Sequence, residues 1–131
     1  MIFPFFVKLL KHSSENTAKK IIIYFNIWRF ESGEELIDTL NKENISFDLL
    51  FLDYYMKKLT GLETAKKVRQ LEVNSRLRPA CSIVFVTSAE NTYELLCVNP
   101  LRVVRKPVSQ GIINEILTHV LSEKSKIDQR M

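Results

Sequence analysis

FDLLFLDYYMKKLTG, residues 47–61, begins with an apolar run, ends that run on a carboxylate at Asp53, and reaches a glycine eight residues later at Gly61. A continuous apolar segment without polar alternation fits a strand buried on both faces, the pattern of a parallel sheet covered by helices. Asp53 then stands where that strand meets water. The bland reading is a charged strand end; the sharper one is a nucleophile presented at the edge of a sheet.

The surrounding sequence alternates between two periods. KIIIYFNIW (20–28) is β-branched and aromatic and reads as a strand, and SGEELIDTLNKE (32–43) follows with Ser32 and Glu35 in capping-box register. TGLETAKKVRQLEV (60–73) opens with a second such box, Thr60 and Glu63, and Leu62, Ala65, Val68 and Leu71 recur on one helical face. CSIVFVT (81–87) reads as another buried strand, AENTYELLCV (89–98) as a short helix and LRVVRK (101–106) as a strand. SQGIINEILTHVLSEK (109–124) closes the pattern as a helix with Ile113, Ile116, Leu117 and Val120 inward. This alternation predicts an open α/β sheet with right-handed crossovers.

Composition bounds the answer without deciding it. The 131 residues suit one domain, and 46% hydrophobic with 26% charged residues describes a globular chain. A formal charge of +4 admits acidic partners, but pairs such as Lys57-Lys58 and Lys66-Lys67 read as solvated faces. Cys81 and Cys97 form neither a metal-ligand nor a redox spacing, so both are expected to be reduced, in a cytoplasm. MIFPFFVKLLK (1–11) is interrupted by Pro4 and Lys8 and lacks a cleavage site; no segment approaches the roughly 20 apolar residues of a membrane span. Residues 1–19 are expected to be the remnant of a helix, 20–122 the domain, and 123–131 a polar tail.

In open parallel sheets, ligands gather beyond the carboxyl ends of the strands. Those ends carry Asp53, then Thr87 with Ser88, then Lys106 with Pro107. A carboxylate, a hydroxyl and an ammonium at one edge form a coherent set for phosphoryl transfer to Asp53: the carboxylate attacks phosphorus while the other two offset and hydrogen-bond its oxygens.

With these residues in view, the chain resembles the receiver domain of bacterial two-component response regulators over residues 20–122. The likeness rests on LLFLDYYM (49–56), Gly61, IVFVTSAE (83–90) and VRKPV (104–108), while VNPLRVVRKP (98–107) is most similar to receivers joined to LytTR-type DNA-binding domains. The resemblance implies a five-stranded flavodoxin-like fold, a doubly wound parallel sheet. It implies Asp53 as phosphoacceptor from a sensor histidine kinase, Thr87 as switch hydroxyl, Lys106 as phosphate-pairing lysine and a cis Lys106–Pro107 peptide. It further implies Mg²⁺ on Asp53, the Tyr55 backbone carbonyl and an acidic pair ending a first strand; a homodimer through the last helix, strand and helix belongs to the alternative of a module that acts without phosphorylation.

Three departures follow. The acidic pair and the first, central strand are expected to be missing, as in a truncated or misannotated gene product, which weakens or abolishes Mg²⁺ binding and slows phosphorylation. Two interior strand edges are then left unpaired, unless FPFFV (3–7) is recruited or strands 20–28 and 47–53 close up. Lys57 stands where the family often has proline, and Val103 where it usually has the switch aromatic.

Two function classes follow from the resemblance. One is a phosphoaccepting receiver with transcription regulation as its parent role; the other is a phosphorylation-deficient pseudo-receiver that binds proteins. Direct DNA binding and a membrane partner are not expected from this chain. A small phosphatase or nucleotide-binding enzyme fits poorly, since Gly33, Gly61 and Gly111 build no phosphate loop and DYYMKK (53–58) holds no second acid. His12 and His119 read as surface positions, and Tyr54, Tyr55 and Tyr93 as walls of the site. Glu90 is a reserve carboxylate, to be reconsidered should Mg²⁺ bind well.

Overall fold

The computed structural model describes residues 5–13, 21–42, 47–55, 59–74 and 80–130. In chain order the elements are β1 (Phe5–Ser13), β2 (Ile21–Arg29), α1 (Gly33–Lys42), β3 (Leu49–Asp53), α2 (Gly61–Asn74), β4 (Ser82–Thr87), a 3-10 helix η1 (Tyr93–Val98), β5 (Arg102–Arg105) and α3 (Gln110–Arg130). The five strands lie in the order β2-β1-β3-β4-β5. β3, β4 and β5 are parallel, as the alternating pattern predicts.

The sheet departs from expectation at its second position. β1 lies there, between β2 and β3 and antiparallel to both: Phe5 to Ser13 pair with Arg29 to Ile21, and Phe5, Phe6 and Val7 pair with Phe51, Leu50 and Leu49. The expected helical remnant is therefore corrected to a strand over residues 5–13, and the interior position expected to be missing is filled; residues 1–4 and 14–20 lie outside the described ones. The physical reason is the apolar β3 edge, whose backbone groups need partners that an extended apolar segment supplies and a helix cannot. Recruitment of the FPFFV segment is realised over Phe5–Val7.

Alternate side chains of the inner strands feed two cores. Leu50, Leu52, Ile83 and Phe85 face one, with Leu36 and Leu40 of α1, Ala65 and Val68 of α2, and Leu95 and Val98 of η1. Trp28, Phe30 and Phe47 close its end with ring centroids 6.0 to 6.5 Å apart. Leu49, Phe51, Val84, Val86 and Val104 face the other, under Ile116 and Val120 of α3. Full burial of each such side chain stabilises the fold by about 1.5–3 kcal/mol before chain entropy is set against it. On α3, Ile112 rather than Ile113 packs on this core, beside Leu117 and Leu121. The helix also runs to Arg130, so the polar segment expected to follow the domain continues α3 over 123–130.

One capping box closes and the other forms in half. Thr60 Oγ1 accepts the Glu63 N–H at 3.1 Å and Glu63 Oε1 accepts the Thr60 N–H at 3.2 Å. Ser32 Oγ accepts the Glu35 N–H at 3.2 Å, while the Glu35 carboxylate reaches one residue further back, to the Glu31 N–H. No helix among the described residues is long and apolar enough to cross a membrane.

Candidate functional site

β3 delivers Asp53 to the carboxyl edge of the parallel strands, where it is only 6% exposed. A buried carboxylate needs partners, and it has them. Lys106, just past the end of β5, places Nζ 2.7 Å from Asp53 Oδ2, and the Tyr55 N–H donates to Asp53 Oδ1 at 3.1 Å. Thr87, fully buried at the end of β4, accepts the Ala89 N–H on Oγ1 at 2.9 Å and the Lys106 N–H on its carbonyl at 3.0 Å. The Lys106–Pro107 peptide is cis. Asp53 and Lys106 are thus in direct contact, and the Thr87 backbone holds Lys106.

Gly61 explains the eight-residue spacing. Its N–H donates to the Tyr54 carbonyl at 3.0 Å, and a Cβ there would fall well inside contact of the Asp53 carbonyl oxygen and 3.1 Å from Tyr54 Cα. Only glycine lets α2 start against the backbone of the site. Glu34, at the opening of α1, accepts the Leu59 N–H at 2.7 Å and steadies the same loop.

Of the remaining residues singled out from the sequence, Tyr55 is 64% and Tyr93 81% exposed, so neither is a buried wall. Tyr54 is partly buried against the larger core, its ring edge-on to Tyr55 at 4.8 Å, and its hydroxyl donates to Glu94 of η1. That hydrogen bond, with lesser contributions from burial and charge, raises the phenol pKa above its ordinary value. Ser88 and Glu90 are exposed, as is His119 on α3; His12 falls in β1 opposite Ile22. Val103 packs on the larger core. Lys57 lies outside the described residues.

Sequence reading missed the pair Arg69 and Glu72. Arg69 donates to Glu72 at 2.8 Å and to the carbonyls of Cys81, Val98 and Asn99, while Glu72 accepts the Cys81 N–H at 2.6 Å. Neighbouring Cys81 is buried, and burial pushes its thiol pKa up; Cys97 is exposed, and both cysteines are free. These groups line a groove of about 800 Å³ at the amino end of β4, the opposite edge from Asp53.

Magnesium requires several oxygen ligands in near-octahedral array. The ends of β3, β4 and β5 offer one carboxylate, Asp53, with both its oxygens engaged. β1 cannot add acids from its carboxyl end, because residues 8–13 run past Leu49 and away from Asp53. Among the described residues no group of three or more His, Cys, Asp or Glu could hold a metal ion. The described residues do not fit the magnesium centre that the resemblance implies, and among them the Tyr55 carbonyl has no carboxylate cluster to join.

Comparison with known proteins agrees with this fold. The receiver domain of mrkE from Klebsiella pneumoniae superimposes with a TM-score of 0.60 at 20% identity, covering 74% of each chain. The REC domain of AraT, a response regulator from Geobacillus stearothermophilus, gives 0.57 at 23% identity over 76% of this chain and 71% of that one. Hybrid signal transduction histidine kinase K of Dictyostelium discoideum is 31% identical over 55 residues, 42% of this chain, which spans only 4% of that kinase's length. The family model described as the response regulator receiver domain matches residues 11–118. With a match over most of its length and the α/β sheet of that family, the chain belongs to the response regulator receiver domains.

Proposed function

We propose that this receiver accepts a phosphoryl group on Asp53 from the phosphohistidine of a sensor histidine kinase, as a phosphoacceptor rather than a turnover enzyme. The reading rests on one observation above all: Lys106 Nζ lies 2.7 Å from the Asp53 carboxylate at the carboxyl edge of the sheet. An Asp53 oxygen attacks phosphorus, the P–N bond to imidazole breaks, and the departing nitrogen takes up a proton. Lys106 then pairs with a phosphoryl oxygen. Thr87 Oγ1 already accepts the Ala89 N–H, so its own proton is free to donate to a second oxygen. With one ammonium offsetting the approach of two anions, transfer is slow. The VNPLRVVRKP phrase supports a parent role in transcription regulation, and the free cysteines suit a cytoplasmic location.

The poor fit of the site to magnesium favours a second reading, a pseudo-receiver that docks on a kinase or on its own copy without phosphorylation. Lys106→Ala separates the two. It removes the paired cation and leaves α3 in place, so phosphotransfer from a kinase should fall by about 100-fold or more while the fold and kinase affinity persist. Transfer undiminished by Lys106→Ala contradicts the role given to Lys106. Kinase binding with no transfer in either protein supports the pseudo-receiver.

A further inference from the structure

We infer that the β2 edge of the sheet is a pairing surface for a second copy of this chain, the two sheets joining through an antiparallel β2–β2 ladder about a twofold axis. The inference stands on the sheet alone and is independent of phosphorylation at Asp53.

The first observation is a ribbon that outruns the sheet. β1 pairs with β2 over nine residues, Phe5–Ser13 with Arg29–Ile21, but with β3 over only three, Phe5–Val7. Residues 8–13 and 21–26 therefore run on as two strands for roughly 20 Å, with no third strand among the described residues. A two-stranded ribbon is marginal in water, and a third strand is what stabilises it. β2 has a neighbour on one side alone, so the outward N–H and C=O groups of residues 21–28 present a row on which that strand can pair.

The two edges of the sheet also differ. β5 is four residues long and both starts and ends on an exposed arginine, Arg102 and Arg105, the short charged edge that keeps sheets from joining. β2 runs for nine residues, IIIYFNIWR, with no proline and no charge before Arg29 at its end. None of the usual devices that blunt an edge is written into its sequence.

The sequence of β2 complements itself. An antiparallel ladder centred on Phe25 sets Arg29 opposite Ile21 of the second copy, Trp28 opposite Ile22, Ile27 opposite Ile23 and Asn26 opposite Tyr24. β-Branched and aromatic pairs of this kind stabilise a ladder, and the two arginines end up at opposite ends. A parallel ladder in register would set them side by side. An acidic peptide would meet one cation on this strand, at its last residue, so charge does not select such a partner. Pairing uses β2 of both copies and leaves two β5 edges outside, so the assembly closes at two.

Sedimentation of the full chain over a concentration series tests this, together with amide hydrogen exchange. A species of twice the chain mass should form by about 100 μM, and the alternate β2 amides that point outward should slow in exchange by about tenfold or more with it. Phe25→Lys sets two ammonium groups opposite each other and Phe25→Glu two carboxylates. Each should weaken association by about tenfold or more, and an equimolar mixture of the two should restore it. Should these variants fail to fold, the exchange pattern of the unaltered chain still decides the surface. Asp53→Asn should pair as the unaltered chain does, so a failure of the phosphoacceptor reading leaves this one standing. A chain that stays monomeric at every concentration, growth beyond two copies, a dimer of undiminished strength in both Phe25 variants, or β2 amides that do not slow as the dimer forms overturns the inference.

Discussion

Gly61→Ala is expected to destabilise the domain by roughly 2–4 kcal/mol, although alanine is the better helix former. Gly61 does not need a positive φ, so the substitution strains no special backbone angle. The cost is space: the new methyl meets the Asp53 carbonyl oxygen and carbon and Tyr54 Cα, all backbone atoms that cannot rotate aside. The favourable terms, helix propensity and a less flexible unfolded chain, amount to about 0.4–1 kcal/mol and are outweighed. Relief requires α2 to move off the end of β3, which stretches the 3.0 Å bond from the Gly61 N–H to the Tyr54 carbonyl. Urea unfolding should show a lower midpoint with an unchanged slope. A midpoint equal to the unaltered chain's would contradict the close approach.

Arg69→Leu should cost about 2–3 kcal/mol, lowering the melting temperature by roughly 10 °C for a chain of this size. Leucine keeps part of the apolar stem but none of the donors. The carbonyls of Cys81, Val98 and Asn99 lose their guanidinium partner, and the Glu72 side chain, 9% exposed, keeps only the Cys81 N–H. Arg69 is itself 24% exposed, so water re-enters and trims the penalty below that of a fully buried pair. Glu72→Gln should cost less, because Arg69 keeps its three carbonyl partners; of the two bonds that Glu72 accepts, on Oε1 and Oε2, the single amide oxygen keeps one. Calorimetric melting of the two variants checks the order.

The features legible in the sequence were those with a local cause. The apolar runs ending at Asp53 and Thr87 gave buried parallel strands, and Thr60 with Glu63 marked the start of α2 to the residue. Asp53, Thr87 and Lys106 were legible because strand ends in a parallel sheet share one edge. What stayed hidden depends on partners distant in sequence. Residues 5–13 carry an apolar run that suits helix or strand, and pairing with Leu49–Phe51 decides for strand. Residues 123–130 show no apolar periodicity, yet adding turns to a packed α3 needs no new nucleus. Arg69 and Glu72, three apart, read as an ordinary exposed helical pair; their role appears only when residues 81, 98 and 99 are brought against α2. Nothing local relates Tyr54 to Glu94.

The proposed role of Asp53 as phosphoacceptor has a direct test. Incubation with acetyl phosphate, followed by proteolysis and mass spectrometry of the peptides, locates the phosphoryl group directly. The predicted result is a single added phosphoryl mass on Asp53, absent from Asp53→Asn. A phosphoryl group on any other residue, or labelling that survives Asp53→Asn, would contradict it.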